Sequence, residues 1–161
     1  MTHAIITILL WFSAITCGLL AGLYFSFSTF IMRALGRVEA PAGIAAMNSV
    51  NAVIQRSLFM PLFLGSSLAA LMLAVISLFQ WHQAGSVAAF AGGVIYIGGM
   101  FICTMAFNVP LNNALAKVDP ASADGANVWA HYLRDWTRWN HVRTVASTVA
   151  MILFIYVISV R

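Results

Sequence analysis

Charge is what this sequence has least of. Lys and Arg number eight and Asp and Glu four, together 7% of 161 residues, against roughly 25% in an ordinary soluble domain. So few charges cannot cover a water-facing surface of normal composition. They exclude a soluble domain, a disordered chain and a nucleic-acid binder alike. Cysteine is nearly absent as well. Cys17 and Cys103 lie deep in apolar runs without the spacing of a metal site, and they read as buried apolar thiols. The four histidines, His3, His82, His131 and His141, all fall near the ends of apolar runs. Ordinary transmembrane haem ligation is therefore not expected, although a metal or haem on unusual ligands stays open. No HExxH, P-loop or dinucleotide-type glycine pattern occurs, and no carboxylate lies inside an apolar run. Nor is there a repeat, a low-complexity tract or a soluble domain boundary. Met1-Thr2-His3 carries no Lys or Arg, so the basic start of a cleaved signal is not expected.

What is present is apolar: 62% of the residues, with a mean hydropathy of +0.93. From Ala4 to Met32 there are 29 positions without a charge. As a helix this is about 43 Å, more than a hydrocarbon core of roughly 30 Å requires. Sixty uncharged residues separate Arg56 from Lys117, interrupted by one polar turn, Gln80 to Ser86. Thr144 to Val160 forms the last apolar run. The expectation is a single all-α integral membrane domain over 1–161. Four transmembrane helices form a bundle, at approximately 4–32, 59–80, 86–107 and 141–160. An amphipathic interfacial helix over 41–58 stands between the first two spans, and a helical extension precedes the fourth.

Orientation follows from the basic residues. Arg33, Arg37, Arg56, Lys117, Arg134, Arg138 and Arg143 belong to one side and only Arg161 to the other. The positive-inside rule then predicts cytoplasmic long connections and both termini outside. The expected location is a bacterial plasma (inner) membrane. In the interfacial helix, Pro41 suits a first turn, and Ile44, Met47, Asn51, Ile54 and Leu58 recur at helical spacing. Such a helix lies along the membrane surface or tucks under the bundle.

The segment from Trp129 to Ser147 is richest in chemistry. Trp129, Tyr132, Trp136, Asn140, Arg143 and Ser147 follow spacings of three and four, so they share one helical face. His131, Arg134, Arg138 and His141 form another, which reads as a basic strip meeting anionic headgroups, with His141 bordering the first face. An arginine entering a span either snorkels to the nearby interface or faces the bundle interior. The company of Arg143 favours the interior. Asn108-Val109-Pro110-Leu111-Asn112-Asn113 ends the third span at the same membrane face, with Asn108 and Asn112 one turn apart. Asn51 interrupts the apolar stripe of the interfacial helix, and Tyr24 could reach a pocket from the first span. Convergent amides and one guanidinium form either a hydrogen-bonded structural plug or a pocket for an anionic or enolic oxygen. Small residues on the first span (Ala14, Gly18, Gly22, Ser26) and glycines on the third favour close helix packing and permit a homo-oligomer.

The Asn108-Val109-Pro110-Leu111-Asn112 segment, followed by Trp129, Tyr132, Trp136 and Trp139-Asn140-His141-Val142-Arg143-Thr144, resembles the anthrone-oxygenase-like family of small membrane proteins. Gly22 to Phe27 and the helix with Met47 and Asn51 are also similar to its pattern. The resemblance implies a four-span membrane oxidoreductase, a cofactor-free oxygenase with molecular oxygen as co-substrate. Its expected partners are the lipid bilayer and a lipophilic phenolic or polyketide-like compound, not nucleic acid. By the same implication Arg143, Asn140, Asn108 and Asn112 stabilise an enolate oxygen, and His141 is the candidate base. Trp136 and Trp129 stack on the substrate. The alternative is a non-catalytic accessory or assembly protein whose Asn/Arg cluster is structural; a transporter is weaker, for want of inverted repeats.

Overall fold

The computed structural model describes residues 2–161, so Met1 lies outside it. The described residues are all helical, with short connections. Four helices are long and apolar enough to cross a membrane: α1 (His3–Leu35), α3 (Phe59–Phe79), α4 (Ser86–Leu115) and α5 (Ala123–Val160). A shorter apolar helix, α2 (Ala40–Ile54), links the first two. They run up and down in a ring: α1 packs on α5 and α3, and α4 packs on α3 and α5. The chain is an integral membrane four-helix bundle.

The helices differ in length, and that difference builds the site. At 1.5 Å per residue the 21 residues of α3 span about 32 Å, enough to cross a bilayer once. The 38 residues of α5 reach about 57 Å, and α1 and α4 are also overlong. In this topology the C-terminal ends of α1 and α4 and the N-terminal end of α5 project from the same face. Helix α2 packs against those projections, touching α5 and the last turns of α4. Two cores result. One, with Leu10, Cys17, Leu73, Tyr96, Met100 and Phe154, fills the membrane part. The other, with Met32, Ile44, Met47, Leu115, Trp129 and Tyr132, lies beneath α2. Over the short N-terminal end of α3 the wall is incomplete.

Helix α2 is tucked under the bundle, with Ile44 and Met47 fully buried. It stops at Ile54, short of the expected 58, and Leu58 is 81% exposed. A turn follows, in which Ser57 Oγ donates to the Ile54 carbonyl at 2.8 Å and accepts from the Phe59 N–H at 3.1 Å. The third span does not end at Asn108 but continues through Pro110 to Leu115. Wide π-helical turns at Ile97–Ile102 and Thr104–Asn108 precede the proline. They relieve the contact between its ring and the preceding turn, so the helix passes Pro110 unbroken. A similar turn, Phe27–Ile31, lies in α1.

Glycine sets the spacing of α4. A Cβ on Gly93 would stand 2.5 Å from the Ala70 carbonyl oxygen, and one on Gly99 would strike the Ala146 side chain. Two of the glycines expected to permit a homo-oligomer are thus used within the chain. Gly22 and Gly98 meet no atom within 4 Å.

Candidate functional site

Where α3 starts late, the gap between the two cores is a cavity of about 490 Å³. Its apolar walls come from Leu23 and Phe27 of α1, Met47 of α2, and Phe59 and Phe63 of α3. Its polar groups come from Asn51, Thr104, Asn108, Asn112, Asn113 and Arg143. Exposed Val50, Gln55, Met105 and Asn113 lie at its border, so the mouth has both apolar and polar lips. The volume lies within the usual range for small-molecule sites.

All six residues of the face running from Trp129 to Ser147 are buried, because this side of α5 looks into the bundle. Arg143 is only 5% exposed and lines the cavity. Its guanidinium carbon stands 4.5 Å from the Tyr24 ring centroid and 4.9 Å from that of Trp136. In a desolvated setting such cation–π contacts are worth about 2 kcal/mol. Nη2 donates to Asn140 Oδ1 at 2.7 Å, Nη1 lies 3.5 Å from Thr104 Oγ1, and Nε has no protein partner. No carboxylate lines the cavity. Asp135, on the same helix, is instead held at the surface by Arg134 at 2.8 Å and His131 at 3.0 Å. A buried cation without a counter-charge is costly to the fold and attracts an anion or an electron-rich oxygen.

Asn140 is wholly buried and does not reach the cavity. Its Nδ2 donates to the Tyr24 carbonyl and to Ser28 Oγ, both at 2.7 Å, which leaves Oδ1 to orient Arg143. It holds the guanidinium from behind the cavity wall. Asn108, 1% exposed, does line the cavity: Nδ2 donates to the Trp136 carbonyl at 3.2 Å, while Oδ1 is buried without a partner. Asn112 Oδ1 accepts from the Tyr132 hydroxyl at 2.8 Å. Asn51 Nδ2 is buried without a well-formed hydrogen bond. Trp136 packs edge-on to Phe27 with centroids 5.5 Å apart. Tyr24 lines the cavity, its hydroxyl 3.5 Å from Met100 Sδ.

Two expected residues stand elsewhere. His141 is exposed on the outer side of α5 and absent from the cavity wall, because a position one step from Asn140 turns about 100° around the helix. It is not placed to take a proton from a ligand there. Trp129 is buried, but stacked on Tyr132 with centroids 5.7 Å apart and pressed on Gly43, whose Cβ would come within 2.6 Å of the ring. It clasps α2 to α5. Thr104 and Ser28 were missed. Thr104 is four residues before Asn108, so the ladder Thr104, Asn108, Asn112 was visible as spacing. Ser28 had no such signal, since its partner is 112 residues away.

Fold and site together define a polytopic membrane protein with a cavity at one end of its bundle, lined by a buried arginine and no carboxylate. Comparison with known proteins narrows this further. The sequence profile of the anthrone oxygenase family matches residues 51–153, which include α3, α4, Asn108 and Arg143. The chain belongs to that family. No curated protein and no solved structure matches the sequence.

Proposed function

We propose that the chain is a membrane oxidoreductase that takes a lipophilic phenol or related enol as its conjugate base and oxidises it with molecular oxygen, without a further cofactor. One observation carries the reading: the buried Arg143 guanidinium lines a cavity without carboxylates, held by Asn140 and by two aromatic rings. A structural plug would close its own hydrogen bonds, whereas here Arg143 Nε and Asn108 Oδ1 are left over.

The chemistry runs through the ligand. A carbonyl with an acidic neighbouring methylene enolises, and Arg143 stabilises the enolate oxygen. No histidine or carboxylate lines the cavity, so the proton leaves to water at the mouth. The enolate carbon gives one electron to dioxygen, the two radicals join as a peroxide, and loss of water leaves a new carbonyl. One methylene and one O₂ become one ketone and one water. Leu23, Phe27, Phe59 and Phe63 supply apolar walls for a polycyclic ring, and the mixed lips of the mouth suit a substrate arriving from the bilayer. In this reading the mouth opens at the cytoplasmic leaflet of a bacterial plasma membrane.

The test is oxygen uptake with an anthrone by protein in lipid nanodiscs. Wild type consumes oxygen and forms the quinone in equal amounts. Arg143→Gln is expected to lose roughly 10²-fold or more in kcat/KM, the scale of losing one oxyanion donor. A variant that oxidised the anthrone normally would overturn the proposal.

A further inference from the structure

The cavity contains a second recognition point, of opposite polarity to Arg143. Asn108 is 1% exposed and on the wall, and its amide is oriented by the Trp136 carbonyl, which takes the Nδ2 hydrogen at 3.2 Å. Turning the amide over would set Oδ1 against that carbonyl oxygen, two acceptors face to face, so the assignment is fixed by chemistry. The group left over is Oδ1, an acceptor, buried and without a partner. A buried acceptor left unmade is a standing cost, removed when a donor arrives. An acceptor cannot stabilise an enolate oxygen, which is itself an acceptor, so Asn108 does not belong to the oxyanion clamp.

We infer that Asn108 is a specificity-determining residue whose Oδ1 accepts a hydrogen bond from a second, un-ionised hydroxyl of the ligand whose anionic oxygen Arg143 binds. The proposal rests on the anionic-oxygen reading of Arg143 for its first anchor. The spacing fits one small planar molecule. Thr104, which Arg143 approaches at 3.5 Å, stands about one wide π-helical turn before Asn108 on α4, and both line the cavity. The two anchors differ in sign: a cation selects the more acidic oxygen, and a neutral acceptor selects one that keeps its proton. Together they orient a dihydroxylated aromatic in one sense and reject the monohydroxy analogue, because a buried polar group left unpaired discriminates strongly.

The experiment measures binding, not turnover, to protein in nanodiscs. The probes are 1-naphthol, the isomeric dihydroxynaphthalenes and their monomethyl ethers, with partitioning corrected on empty discs. Wild type is expected to bind at least one dihydroxy isomer about tenfold more tightly than 1-naphthol, the equivalent of about 1.4 kcal/mol. The monomethyl ether of that isomer should lose the gain, since its second oxygen no longer donates. Asn108→Leu should bind the preferred diol no more tightly than it binds 1-naphthol. Absence of a preferred dihydroxy isomer, an ether as tight as the diol, or a preference intact in Asn108→Leu would each overturn the inference. The ether comparison uses wild type alone, so an ether as tight as the diol overturns the inference even if Asn108→Leu fails to fold. Arg143→Gln separates the two readings: undiminished 1-naphthol binding there defeats the anionic anchor, while the diol–ether difference still tests Asn108.

Discussion

At the scale of single residues, the site depends on how side chains are held. Asn140 contacts Tyr24, Ser28 and Arg143 at 2.7 Å each and reaches no part of the cavity. Asn140→Leu removes the acceptor that fixes Nη2, so kcat/KM is expected to fall about 10²-fold, the scale of a misplaced catalytic group. Steady-state kinetics on the nanodisc protein would check this, alongside a thermal melt, because the stranded guanidinium also costs about 1–3 kcal/mol. His141→Ala should change kcat/KM by less than about twofold, since a substitution at an exposed site off the wall disturbs little. A large loss there would show that this face of α5 takes part. These residues were only half legible in the sequence. Spacing along α5 put Arg143 and Asn140 on one buried face, because a helix repeats every 3.6 residues whatever surrounds it. Which of them meets the cavity and which stands behind it depends on α1, and no spacing within α5 contains that.

At the scale of elements, glycines and wide turns decide how closely helices meet. Gly93→Ala puts a Cβ against the Ala70 carbonyl and Ala74 and should cost about 1–3 kcal/mol through a forced shift of α3 from α4. Gly22→Ala meets open space and should leave the melting temperature unchanged or slightly raised. Detergent thermal unfolding of both variants checks the contrast; equal effects would mean that α3 and α4 are not in this close contact. The span boundaries were readable from charge-free length, whereas the passage of α4 through Pro110 was not. Proline reads locally as a stop, and only the preceding π-helical turns remove the conflict. The shorter α2 was likewise not readable: local hydrogen bonds of Ser57 to Ile54 and Phe59 form a turn where the apolar stripe otherwise continues to Leu58.

For the whole molecule, helix length and charge asymmetry are the governing quantities. The short turn at 80–85 and Arg161 meet at one end, where Arg161 Nη2 lies 3.4 Å from the amide oxygens of Gln80 and Gln83. The long connections and the cavity occupy the opposite end. We propose that this second end faces the cytoplasm, and the native thiols make the test clean because Cys17 and Cys103 are 0% and 3% exposed. In intact cells Gln83→Cys should react with a membrane-impermeant maleimide, and Ala121→Cys only after lysis. The reverse pattern would invert the topology and put the cavity mouth in the outer leaflet.

The sequence by itself determined that this is a four-span, all-helical membrane protein with an inward-facing Trp/Asn/Arg stripe, and it carried the motifs of its family. These properties are local or additive: apolar length, charge counts, and the period of one helix. The tertiary structure alone decided that α3 is too short to close the bundle beneath α2, that Trp129 clasps while Trp136 lines, and that His141 looks away. It also decided that Asn108 presents an acceptor. Each of these depends on atoms far apart in the chain meeting across a packed interior, and hydrogen-bond polarity at a cavity wall is settled only once every neighbour is in place.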